Sequence, residues 1–306
     1  MSAAGPSGLA RWAFGSPYLL LVLAPLLWGG NAVAGKYATL DWQPFTITAV
    51  RWGLAALLLL PFAWRPLQRD APVIRAHLPL LVGMGAIGMA LFNLLMYLAL
   101  HTTSAINVGI IQAAMPGMIM VANFAVFRQR SGPMQLAGLA LSVVGVVVVT
   151  TAGNPAGLLS GGLVIGDAWM LLACLFYGGY TFALRWKPPL HWMSFMWVIA
   201  VGAFAMTIPF VLWELSRVEQ GPVPLRGWLV VVYVVLLPTV VSQISWARGV
   251  ELIGSNRASL FFNLVPIFGA ALAVLLLGER FAWYHGVGMA LVLGGITLAE
   301  RSARVA

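Results

Sequence analysis

Charge is what this 306-residue chain has least of: Asp, Glu, Lys and Arg together make up 8% of it, against 61% hydrophobic residues and a mean hydropathy of +0.93. A soluble domain carries about a quarter charged residues. No surface built from such a chain stays monomeric in water, whereas helices that face lipid need no charge. Cysteine is nearly absent: Cys174 stands alone in an apolar segment, which excludes an intrachain disulfide and a cysteine metal framework. The formal net charge is +9, but the basic residues stand singly in short loops and form no stripe, which argues against a nucleic-acid partner. There is no nucleophile elbow, no HExxH and no histidine pair, so no enzyme, catalytic residue, metal or cofactor is expected. Gly83-Met84-Gly85-Ala86-Ile87-Gly88 has dinucleotide-fingerprint spacing, but it lies inside an apolar run with no strand before it. Close helix packing is its expected use, as it is for Gly138 with Ser142 and for Gly286, Ala290 and Gly294.

What the chain does have is long apolar runs. A bilayer core of about 30 Å takes about 20 apolar residues per helix. Ten such segments can be marked off, at about 18–38, 44–64, 78–99, 104–127, 133–152, 162–185, 191–213, 227–247, 255–277 and 281–299. The runs are continuous rather than alternating, which excludes strands. The expected fold is an all-α integral membrane protein with ten transmembrane helices, the first apolar run being a retained span rather than a cleaved leader. Lys and Arg set the orientation. With the N-terminus inside, Arg11, Arg65, Arg69, Arg75, Arg128, Arg130, Arg185, Lys187, Arg248, Arg257, Arg301 and Arg304 are cytoplasmic. Only Lys36, Arg217, Arg226 and Arg280 fall outside, and Arg51 lies within the second span. Both termini are therefore expected in the cytoplasm, with the chain in the inner (plasma) membrane.

The sequence also repeats. A shift of 150 places Pro116 on Pro266, Arg130 on Arg280, Gly138 on Gly288, Ala140 on Ala290, Leu141 on Leu291 and Gly145 on Gly295. Nearer the N-terminus a shift of 149 brings Trp28-Gly29-Gly30 onto Tyr177-Gly178-Gly179. Two repeats of five spans follow, residues 1–152 and 153–306, in a single membrane domain. An odd number of spans makes the second copy enter from the opposite side, an inverted repeat with a site expected near the midplane between the halves.

Leu264 to Leu298, LVPIFGAALAVLLLGERFAWYHGVGMALVLGGITL, resembles the end of the second repeat in EamA-type transporters of the drug/metabolite transporter superfamily. The matching elements are Pro266, the Gly278-Glu279-Arg280 step, and Gly288 and Gly295. Trp28-Gly29-Gly30-Asn31, Arg51-Trp52, and Tyr97-Leu98-Ala99-Leu100 running into Thr103-Ser104-Ala105 match as well. The resemblance spans nearly the whole chain. It implies ten helices, two inverted repeats and export of small metabolites, often amino acids. The first repeat departs from it, with Arg128-Gln129-Arg130 where many relatives carry a Gly-Glu pair, so no role of that glutamate carries over to the N-terminal half.

An ionisable residue at the centre of a span costs about 3 kcal/mol or more and is a functional candidate by default. The acidic residues Asp41, Asp70, Asp167, Glu214, Glu219, Glu251, Glu279 and Glu300 all fall near segment ends, with Asp167 about a turn inside. His77, His101, His191 and His285 also fall near ends. No carboxylate at mid-span argues against exchange of a proton for a hydrophobic cation and favours a facilitator or weakly coupled exporter. Arg51, about two turns into the second span, and Lys36 are candidate anchors for a substrate carboxylate, the competing reading being a snorkelling or helix-end-binding cation.

Amides and rings at mid-depth make up the rest of the expected substrate site: Trp28, Asn31, Asn93, Tyr97, Asn107, Gln112, Trp169, Tyr177, Tyr180, Gln243, Trp246 and Asn263, with Asn256 beside them. Asn93 and Tyr97, four apart, share a helix face. Buried amides also glue helices together, and Trp and Tyr also anchor span ends. Pro116 and Pro266 each remove a donor in mid-span, opposite the carbonyls of Gln112 and Phe262, and form a matched pair of candidate hinges. Asn123, nearer the cytoplasmic end, has no assigned role. The expectation is an alternating-access exporter of amino acids, apolar or aromatic ones favoured, with a small-molecule substrate and the lipid bilayer as its partners. An exporter of hydrophobic cations and a non-transporting membrane scaffold are the alternatives. No oligomeric state follows from the sequence, and a monomer suffices.

Overall fold

The structure is a computed structural model that describes residues 15–115, 132–154, 164–219, 221–253, 258 and 261–303. Pro116, Asn123, Arg128–Arg130 and Asn256 lie outside the described residues. Every regular element among the described residues is helical. In chain order these are α1 (Pro17–Ala38), α2 (Pro44–Ala76), α3 (Leu78–Thr102), α4 (Ala105–Ala113), α5 (Pro133–Thr150), α6 (Ile165–Ala183), α7 (Trp192–Arg217), α8 (Leu225–Ile253), α9 (Leu264–Leu277) and α10 (Trp283–Ala303). Among them, 7 are long and apolar enough to cross a membrane: α1, α2, α3, α5, α6 with its short extension to Trp186, α7 and α8. Helices α9 and α10 add shorter apolar stretches.

Local signals place the ends. Proline opens α1, α2 and α5, where its missing N–H is not needed. The Ser104 side chain accepts from Asn107 N at the start of α4, and Gly278 ends α9 in the left-handed region at φ 67°. One boundary differs from expectation. Helix α2 does not stop near residue 64 but runs 33 residues to Ala76, about 50 Å and longer than a bilayer core. Pro61, Pro66 and Pro72 all fall in its second half, where each removes a backbone donor.

The most extensive helix contact is the seam between α5 and α10. Gly138 meets the backbone of Gly295, Gly145 meets that of Gly288, and Ser142 Oγ donates to Val292 O at 3.4 Å. Gly138 and Gly288, Ser142 and Val292, and Gly145 and Gly295 are the same pairs that the shift of 150 superimposes, so the seam reads alike from either helix. The packing face therefore runs through Gly288 and Gly295, not through the expected Gly286 and Gly294. Gly286 approaches only Phe281 of its own chain segment and Gly294 only Leu141, both at van der Waals distance. Gly85 packs on the backbone of Ile199 in α7 and Gly88 on the Tyr180 ring, so the fingerprint-like glycines serve helix packing.

Two irregularities recur at matched positions. Helix α3 carries a π-helical segment at Gly85–Leu91 and α8 one at Leu237–Val241, with end points 150 apart. A turn at Ala114 interrupts α4, and one at Asn263 precedes α9. Pro266 sits in the first turn of α9, three residues after the turn at Asn263. In a first turn the absent N–H leaves no carbonyl of the same helix unserved. Large apolar side chains such as Leu57, Leu212 and Leu275 are exposed around the helices, and exposed tryptophans (Trp64, Trp186, Trp192, Trp213, Trp228, Trp283) lie toward helix ends, as lipid-facing and interfacial residues do.

Candidate functional site

Arg51 stands two turns into α2 and is only 5% exposed. Its Nη1 donates to Asn31 Oδ1 of α1 at 2.9 Å and to Tyr97 Oη of α3 at 3.2 Å, while Nη2 donates to Thr239 Oγ1 of α8 at 3.1 Å. All three acceptors are neutral, and among the described residues no carboxylate pairs with it. Its Nε has no hydrogen-bond partner, nor has Nε1 of neighbouring Trp52, whose ring lies 5.7 Å from the guanidinium carbon. A buried guanidinium with neutral partners keeps its charge uncompensated and one donor unused. This is not a snorkelling side chain.

The π turns build this centre. In α8, the Pro238 carbonyl of the π turn accepts from Ser242 Oγ and from Trp28 Nε1 at 3.1 Å, and Thr239, which donates to Val234 O, accepts from Arg51. In α3, the Met89 carbonyl at the matching turn accepts from Phe92 N and from Asn93 Nδ2 at 2.8 Å; Asn93 Oδ1 is left buried without a partner. Asn31 Nδ2 points to Met96 Sδ at 3.6 Å. Trp28, Trp246 and Phe262 form an aromatic cluster with ring centroids 5.4 to 5.8 Å apart.

Beside this centre is a cavity of about 120 Å³ between α2, α7 and α8. Trp52, Thr239 and Gln243 line it together with Leu58, Phe62, Met193 and Met196, and the lining it presents is almost wholly apolar. Trp52 and Thr239 belong to both the cavity and the Arg51 centre. Exposed Phe62 and Trp192 stand at its mouth.

A second polar layer lies on the face that carries the α1–α2 turn. Lys36 Nζ donates to the carbonyls of Leu100 at 2.5 Å and Thr103 at 2.8 Å, so it closes the C-terminus of α3. That geometry is the helix-end-binding alternative and not a ligand anchor. Glu214 of α7 accepts from Phe45 N, Thr46 N and Thr46 Oγ1 at the start of α2. Glu279 accepts from Ala105 N at 2.7 Å and Ile106 N at 3.1 Å at the start of α4. Asp167, 1% exposed, accepts from Thr103 Oγ1 at 2.5 Å and from Asn107 Nδ2. Asn107 Oδ1 in turn pairs with His285 Nε2 at 3.1 Å, while His285 Nδ1 accepts from Ala282 N. Asn107 is thus occupied at both ends, tying α4 to α6 and α10.

The remaining expected residues divide. Gln243 lines the cavity and Trp246 joins the aromatic cluster. The Tyr177 ring lies tilted against Phe92 of α3 and against Tyr180 of its own helix, and Trp169 is half-buried against the same core. Gln112 is half-buried in the last described turn of α4, and Asn263 occupies the turn before α9. Thr239 was not singled out from sequence, and Trp52 only as part of the Arg51-Trp52 match; Pro238 inside an apolar run was a sign of a disturbed helix there.

A bundle of membrane-crossing helices with a lone buried cation beside a cavity defines a multi-pass membrane transporter. The profile of the EamA-like transporter family matches residues 15–151 and again 164–300, and the chain belongs to that family. Its relatives include the Bacillus subtilis transporter YetK, 24% identical over 91% of this chain and 85% of that one. A probable terminal-alkyne amino-acid exporter of Streptantibioticus cattleyicolor is 28% identical over 96% and 91%. A probable amino-acid metabolite efflux pump of Salmonella typhimurium is 25% identical over 94% and 97%. A solved crystal structure shares the fold at a TM-score of 0.63 and 20% identity, covering 95% of this chain and 99% of the other.

Proposed function

We propose that the protein exports amino acids with apolar or aromatic side chains across the inner membrane by alternating access. In this reading ten spans form two inverted repeats, residues 1–152 and 153–306. The face bearing the α1–α2 turn is outside and both termini are cytoplasmic. The observation that carries the substrate class is Arg51: a buried cation with neutral partners and a free Nε takes the carboxylate, while the adjoining cavity takes the side chain. Trp, Phe, Met and Leu walls suit apolar and aromatic groups. The names of the two amino-acid exporters among the relatives support the same class. Hydrophobic cations fit poorly, because no acidic side chain lines the cavity and Arg51 repels them. The turns at Ala114 and Asn263, each just ahead of a proline, are the places where the halves would bend.

The test is purified protein in liposomes offered labelled phenylalanine, leucine, glutamate and tetraphenylphosphonium, with Trp246→Ala as a site control. Transport of phenylalanine and leucine but not of the cation is the expected result. Transport of the cation alone reverses the assignment, and transport of none supports a scaffold.

A further inference from the structure

Asn93 is the buried polar group that the carboxylate reading leaves unused. It is 4% exposed, and its two ends are in unlike situations: Nδ2 is fixed on Met89 O at 2.8 Å, and Oδ1 has no partner. The orientation of the amide follows from the carbonyl it serves, since turning it over would set two oxygens against each other. Met89 O, at the end of the π turn, accepts from Phe92 N as well as from Asn93 Nδ2, which fixes the amide and leaves its oxygen as the unspent acceptor. A buried acceptor left unmade is costly, and a native chain that keeps one usually uses it.

Its position relative to Arg51 follows from the helix. Tyr97 lies one turn beyond Asn93 on the same face of α3, and helical side chains lean back over the preceding turn. The Tyr97 hydroxyl, which holds Arg51 Nη1 at 3.2 Å, therefore stands over the turn of Asn93. An unspent donor on the guanidinium and an unspent acceptor on the amide are the complement of a zwitterion, whose ammonium and carboxylate sit on one carbon.

We infer that Asn93 Oδ1 receives the α-ammonium group and is the residue by which the site distinguishes α-amino acids from carboxylates lacking the amine. The inference rests on the amino-acid reading above and assigns the second half of its recognition.

The test is counterflow of labelled L-phenylalanine in liposomes, competed with unlabelled phenylalanine or 3-phenylpropionate, the same molecule without its amine. For the wild type, 3-phenylpropionate is expected to compete about 10- to 100-fold more weakly, the range for losing a hydrogen bond to a charged group. In Asn93→Leu the gap should close to within about threefold, while Asn93→Asp, which keeps an acceptor, should preserve it. Melting of each purified variant separates a lost site from a lost fold, and if Asn93→Leu does not fold, the wild-type ratio and Asn93→Asp decide. Phenylalanine transport with equal competition by 3-phenylpropionate, or a gap retained in Asn93→Leu, overturns the assignment to Asn93 alone. Absence of phenylalanine transport overturns the amino-acid reading and this inference with it.

Discussion

The two faces of the bundle are held in different ways. On the face with the α1–α2 turn, polar groups tie one half of the chain to the other. Glu214 and Glu279 cap helices of the first half, Asp41 pairs with Arg226, and Asp167 and His285 grip Asn107. On the opposite face Asp70 accepts from His191 N, and the apolar cavity opens between α2, α7 and α8. A carboxylate at a helix N-terminus takes up donors that would otherwise need water, so these caps exclude water as well as join helices. The lesson is that the end-of-span acids act as a latch rather than as ligands.

The comparison can be broken from the latched side. Glu214→Ala combined with Glu279→Ala removes two helix caps at separate places, each expected to contribute about fivefold to closure, or about 25-fold together. The measurement is labelling by a membrane-impermeant maleimide of a cysteine placed at Ile106 in a Cys174→Ser background. Asn107→Ala, which leaves buried Asp167 and His285 without their shared amide, should raise the same labelling about tenfold. Asp41→Asn should change it less than about twofold, because Arg226 is largely in solvent, and the difference should fade at high salt. Equal effects from all three would remove the distinction between buried caps and an exposed ion pair.

Much of the frame was legible in the sequence because apolar runs and glycine spacing are local signals. The shift of 150 reappears as the Gly138–Gly295 and Gly145–Gly288 contacts, and Arg51 stood out as the one basic residue within a span. The site's shape was less legible. The π turn in α8 has a partner remote in sequence, Trp28 for Pro238, so no local pattern announced Thr239. Lys36 and Arg51 look alike as lone cations, and only the approach of the α3 C-terminus separates a helix cap from a free guanidinium. The acids at span ends read as unremarkable for the same reason: their partners belong to the other half of the chain.

The most direct test of the central claim is counterflow of labelled L-phenylalanine by wild type and by Arg51→Met, a variant that keeps much of the side-chain volume and removes the charge. With the carboxylate held by Arg51, the variant should lose about 10- to 100-fold in apparent affinity for phenylalanine. Phenethylamine, which lacks the carboxylate, should fail to compete against the wild type. Undiminished phenylalanine affinity in a folded Arg51→Met, or full competition by phenethylamine, would contradict the account.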